Sequence, residues 1–196
     1  MLEQLRLALT TSPIALPALL IGVLFAVVAF LPLSRAFHWS PLWTLLALVS
    51  VAPILAFTLP PDTSTVPVGA GERLRYFFGL FLDPVNVHRQ LDAVGSNNER
   101  VANLLLFVPA GFFATLATRR PVRIALAGIA IPFLIESWQA VSGVRVGSAA
   151  DWLHNCGGTL IGVVAACVLL PLTRRPGRET PMTSESSRRY STANSR

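Results

Sequence analysis

The 196-residue sequence predicts an all-α fold: a polytopic transmembrane helical bundle of about five spanning helices, a short interfacial helix and a disordered C-terminal tail. Three observations predict it. Charged residues make up only 13% of the chain and hydrophobic ones 53%, whereas soluble domains carry about 25% charged residues. Mean hydropathy is +0.57. Several apolar runs approach the roughly 20 residues that a helix needs to cross the hydrocarbon core. The alternation of polar and apolar residues that marks strands of a membrane β-barrel is not visible.

The elements follow in order. Ile14–Ser34 is a nearly unbroken apolar run and predicts the first span. A cleaved signal peptide is the competing reading, but the run exceeds an h-region of ~7–15 residues, so an uncleaved helix is expected. Leu42–Leu59 predicts the second span. A long loop runs from Pro60 to about Asn98. Within it Leu74, Phe77, Phe78 and Phe81 recur at three- and four-residue steps across Glu72–Leu82, which gives a short helix with one apolar face. Such a helix is expected to lie in the headgroup layer, with Tyr76 and the phenylalanines dipping in, rather than to form a lid over the bundle mouth. Asp83–Pro84 ends it. Val101–Thr118, Val122–Val141 and Asp151–Leu172 predict the last three spans. The chain thus divides into residues 1–41 (first helix and link), 42–172 (the main transmembrane domain) and 173–196. The last segment, rich in Ser, Thr and Arg, is expected to be disordered and cytoplasmic.

All 16 basic residues are arginines, and net charge is +6. Six arginines follow Leu172 and three more, Arg119, Arg120 and Arg123, fill the link between the third and fourth spans. Arginine-rich short loops stay inside, which places the C-terminus in the cytoplasm and the N-terminus outside. The basic excess therefore reads as topology and attraction to anionic membrane lipids, not as nucleic-acid binding. Cys156 and Cys167 lie eleven positions apart in one helix, or ~16 Å, beyond disulfide reach. No cofactor-binding motif is present.

Polar residues are rare in the last three spans and gather at one end. Asn103 begins the third, Glu136 and Gln139 finish the fourth, and Asp151, His154 and Asn155 begin the fifth, with Arg145 in the link between. Because consecutive spans run antiparallel, all fall on one side, the outer one in this topology. Ionisable groups in hydrocarbon are costly, so Asn103, Glu136, Gln139, Arg145, Asp151 and Asn155 form the candidate ligand site, with the helix residues expected at a common depth and Arg145 above them. The competing reading is a network that only glues helices together. Glu136, Asp151 and His154 include ligands that hard cations take, but the lone histidine disfavours a metal site, so no metal is expected. Gly158 and Gly162, four apart, predict close packing against the third or fourth span, with Gly111 or Gly128 as counterpart.

These residues, in this order, resemble the VanZ-like membrane protein family, named for a glycopeptide (teicoplanin) resistance protein. The string is Asn103-Leu-Leu-Leu-Phe-Val-Pro109-Ala-Gly111, then Glu136-Ser-Trp-Gln139, Arg145, Asp151, Asn155 and Gly158. Two departures stand out. Asn86-Val-His-Arg replaces a usual Asn-x-x-Pro-Phe, and Ser148 stands where family members carry a second aspartate. The resemblance implies a multi-pass protein of the bacterial inner membrane and, in some members, altered sensitivity to envelope-directed antibiotics. It supplies no reaction. The expected function is engagement of a lipid-linked or cell-envelope ligand by the outer polar cluster. The alternatives are an intramembrane enzyme acting on a lipid, with Glu136 or Asp151 as general base, and a structural or accessory membrane subunit.

Overall fold

Proline punctuates this chain, and the helix starts follow from it. The computed structural model describes residues 14–58, 69–92, 97–143 and 147–171, with the side chains of 97–99 outside that set. Among them lie seven helices and no strand: α1 (Ala15–Phe37), α2 (Pro41–Thr58), α3 (Ala70–Leu82), α4 (Pro84–Asp92), α5 (Asn97–Thr118), α6 (Pro121–Ser142) and α7 (Ala149–Leu169). Three of them, α2, α4 and α6, begin on a proline. There its missing N–H would have had no partner anyway, and its fixed φ suits the first turn. The ends are left-handed residues: His38 after α1, Arg119 after α5 and Gly143 after α6, the last at φ 74°. Only glycine takes that conformation without a Cβ penalty.

Five helices, α1, α2, α5, α6 and α7, are long and apolar enough to cross a membrane. Their surfaces invert the soluble pattern. Leu20, Ile21, Leu24, Phe25 and Val28 of α1 are exposed, as are Val122, Leu126 and Leu134 of α6. Hydrocarbon, not water, is the solvent such faces suit.

The helices are held by small residues. α1 packs on α2, α2 on α5, and α7 on both α5 and α6. Gly158 and Gly162 of α7 lie against the backbone of α5, where added Cβ atoms would run into the carbonyls of Leu104 and Val108. Gly111 returns the contact onto the backbone of Thr159. The expected close approach is therefore made, and the partner is the third span; Gly128 of the fourth meets only the Thr159 side chain. Matching offsets (Leu104 with Gly158, Val108 with Gly162) make α5 and α7 parallel. Contacts of Gly128 with Thr159 and of Glu136 with Ser148 make α6 antiparallel to α7. Inside the bundle, Thr115 and Thr159 satisfy their hydroxyls on the carbonyls of Gly111 and Asn155 one turn back.

Two boundaries differ from expectation. α7 starts at Ala149 rather than Asp151, because Ser148 caps it: its Oγ accepts from the Asp151 N–H at 3.2 Å. Asp83–Pro84 does end α3, but it also starts α4. Asp83 accepts from Val85 N at 2.9 Å and from Asn86 Nδ2 at 2.8 Å, which organises the new first turn. The loop residues 59–68, the link residues 144–146 and the tail 172–196 lie outside the described set.

Candidate functional site

One end of the bundle collects the C-terminal ends of α2 and α6 and the N-terminal ends of α5 and α7, covered by α3 and α4. Glu136 sits there 3% exposed, its Oε2 accepting from the Ser148 N–H at 2.8 Å. Gln139, one turn nearer the end of α6, is 5% exposed and donates from Nε2 to the Thr58 carbonyl at 3.2 Å. That bond ties the last turn of α6 to the last residue of α2. Asp151 lies in the first turn of α7, half-buried, with its N–H on Ser148. An acidic side chain at this position also favours the positive end of the helix dipole.

Asn155 lies deeper in the bundle than Glu136. It is 3% exposed, and its Oδ1 has no hydrogen-bond partner among the described residues. The expected common depth is not kept. The pairings of Glu136 with Ser148 and Gly128 with Thr159 set Asn155 lower than Glu136, because α6 reaches further past the bundle end than α7 does. Asn103 lies half-buried near the start of α5, one position before the Leu104 carbonyl that meets Gly158. Arg145 lies outside the described residues. His154 donates from Nδ1 to the Ala150 carbonyl at 2.6 Å, which is the bond of a helical residue turned back on its own turn. Among the described residues no three His, Cys, Asp or Glu side chains are grouped to hold a metal ion. Cys156 and Cys167 are free thiols.

Several residues of this end were not singled out from the sequence. Gln90 of α4 accepts on Oε1 from the Ala149 N–H at 2.9 Å and from the Ser148 hydroxyl at 3.2 Å. Its Nε2 is buried without a partner among the described residues. Arg100, 6% exposed at the start of α5, donates to the Leu91 carbonyl at 2.6 Å. Arg73 of α3 donates from Nη2 to the Val141 carbonyl at 2.9 Å, where a cation complements the C-terminal end of α6. Ser148 is the hub, joining Glu136, Gln90 and the first turn of α7. Its motif, Ser148-Ala-Ala-Asp151, has the spacing of an N-terminal cap and was readable. Gln90, Arg73 and Arg100 carry no local pattern that separates them from other loop polar residues.

α3 closes over this end. Phe77 is 1% exposed, packed on Phe133 at 5.9 Å between ring centroids and against Gly147, where an added Cβ would lie 2.6 Å from the ring. Phe81 continues the cluster to Trp152 at 5.8 Å, and Trp152 donates from Nε1 to the Ile129 carbonyl. The expectation that the phenylalanines dip into headgroups is corrected for Phe77, because the space left by Gly147 takes the ring into the bundle. Tyr76, Phe78 and Leu82 remain exposed on the outward side.

No curated protein and no solved structure matches the chain. A family model does. The model described as VanZ/LLP1 matches residues 19–170, which take in four candidate spans whole, the first from its fifth residue on, and every residue of the polar end. This protein, a helical membrane protein with its rare polar side chains gathered at one end of the bundle, belongs to the VanZ/LLP1 family.

Proposed function

We infer that the polar end binds the headgroup of an envelope lipid or lipid-linked precursor, and that this end faces outward with the C-terminus in the cytoplasm of a bacterial cell. Asn155 carries the reading. A buried amide oxygen without a partner costs about 1–3 kcal/mol. The cost is explained if a ligand satisfies it. The surroundings support a mixed-polarity ligand: Glu136 supplies charge, Gln90 a free donor, and α3 and α4 a cover that an entering headgroup would displace. Engagement of such a ligand gives a physical route to altered sensitivity to envelope-directed antibiotics.

A second reading, the structural subunit, is favoured by one observation. Glu136 and Gln139 each bond a backbone group of another segment, which is what helix glue does. The two readings separate on Asn155. Protein purified in mild detergent is compared with an Asn155→Leu variant for the lipids it retains, by native mass spectrometry. Loss of a retained lipid with unchanged thermal stability supports the ligand site. An identical lipid complement in both proteins would refute it.

A further inference from the structure

We propose that the end of the bundle opposite the polar cluster is a docking surface for anionic phospholipid. At that end α1 finishes and α2 begins, across residues 38–40, and α5 finishes and α6 begins, across residues 119–120. Trp43 of α2 stacks on Phe113 of α5 at 6.1 Å between ring centroids, which brings the start of α2 beside the end of α5. α7, parallel to α5, also ends there, at Leu169.

This end is basic and lacks a counter-charge among the described residues. Arg35 in the last turn of α1, Arg120 in the α5–α6 link and Arg123 in the first turn of α6 are exposed. Their side chains have neither a hydrogen bond nor an ion pair among the described residues, whereas Arg119 beside them has an interaction of its own. The carboxylates among the described residues, Glu72, Asp83, Asp92, Glu136 and Asp151, all lie at the other end. Like charges left without partners on one surface repel each other and attract anions. Tryptophan sets the depth. Trp39, stacked on Phe37 at 4.8 Å, and Trp43 both lie at this end, and tryptophan settles at the level of the headgroups. The anion within reach at that level is lipid phosphate. Net headgroup charge then selects the lipid. A choline or ethanolamine headgroup brings its own cation beside the phosphate, whereas a glycerol headgroup leaves the phosphate charge uncompensated, which is the charge that arginine near a membrane surface favours. A phosphatidylglycerol-type lipid fits this end, whichever side of the membrane it faces and whether or not Asn155 takes a ligand.

The test offers the full chain in mild detergent an equimolar mixture of phosphatidylglycerol and phosphatidylcholine with identical acyl chains. Retained lipid is read by native mass spectrometry. Phosphatidylglycerol should be retained in excess, and added salt should narrow its lead. Changing Arg35→Gln, Arg120→Gln and Arg123→Gln together should cut the preference at least about fivefold, the value of one arginine at an anionic surface. The melting temperature in detergent alone should not fall, because these side chains hold no partner among the described residues. Lysine at the same positions keeps the charge and should keep the preference, which separates lost charge from a damaged fold. Arg75→Gln with Arg89→Gln removes exposed arginines from the other end and should leave the preference intact. Equal retention of the two lipids by the unaltered protein would overturn the proposal. So would an unchanged preference in the triple glutamine variant, or an equal loss in the Arg75 and Arg89 variant. Displacement of the lipid by soluble glycerol phosphate at matching concentration would overturn a lipid as the occupant, as would tighter binding of a short oligonucleotide.

Discussion

Gly157 and Gly158 are adjacent on α7, yet substitution by alanine should act in opposite directions. A Cβ at Gly158 would strike the Leu104 carbonyl oxygen, lie 3.0 Å from its carbon and 3.1 Å from Phe107 Cβ. These contacts are with the backbone of α5 and the base of a buried side chain, so neither yields without the helices separating. Overpacking of this kind costs about 1–3 kcal/mol. A Cβ at Gly157 meets nothing within 4 Å. Removing glycine's extra backbone freedom from a helix interior there should gain about 0.5–1 kcal/mol. The pair should therefore differ by about 1.5–4 kcal/mol. At ~2–4 °C per kcal/mol for a chain of this size, that is on the order of 10 °C in melting temperature. Thermal unfolding of both variants in the same detergent measures it. Equal melting temperatures would refute the α5–α7 contact, and with it the placement of Asn155, one turn earlier on α7 than Gly158.

Three further outcomes are expected. Phe77→Ala should cost about 3–5 kcal/mol of local stability at the α3 cover; limited proteolysis should then cut within residues 70–92 while the spans stay intact, and unchanged protection would show that the ring does not hold α3. Ser148→Ala removes the α7 cap and should lower stability by about 1 kcal/mol, seen as a small drop in melting temperature, and no drop would mean that Gln90 and Glu136 hold the helix start without it. In a background lacking Cys156 and Cys167, an impermeant thiol reagent added to intact cells should label His88→Cys on exposed α4 and spare Arg120→Cys; the reverse pattern would invert the proposed topology.

The spans were legible because apolar length alone decides them in a membrane, and every one of the five formed within a few residues of expectation. The glycine seam was legible for a related reason. Small residues four apart serve one purpose on an apolar helix, and Gly158 and Gly162 serve it. The candidate residues were legible as rarities, since a polar side chain on such a helix has few uses. Their depth was not. It depends on how far α6 extends past α7, and on Ser148 moving the start of α7, neither of which hydropathy encodes. α4 was missed because Asp-Pro is both a stop and a start signal. Phe77 was misplaced because an amphipathic face can meet lipid or protein, and only the missing side chain of Gly147 decides between them. Gln90 and Arg100 act through carbonyl and N–H groups brought close by the fold, which no sequence spacing announces.

The contrast within the cluster separates its roles. Glu136 and Gln139 each have a backbone partner from another segment, so their presence is accounted for by holding the bundle end together. Asp151 has a helix start to stabilise. Asn155 has no such account. Its backbone carbonyl serves Thr159, but its side-chain oxygen is buried and unpaired among the described residues. Leucine would fill that position in an apolar helix at no polar cost, so helix packing does not explain an asparagine there. Gln90 repeats the pattern on the other side of Ser148: one end of its amide is bonded twice, and the other end is left over. Two residual groups of complementary polarity, one donor and one acceptor, are left at this end of the bundle, where the bonds of Ser148 are satisfied. That division of labour is what the proposed ligand site would require: a scaffold of paired polar groups, and a smaller set left for the ligand.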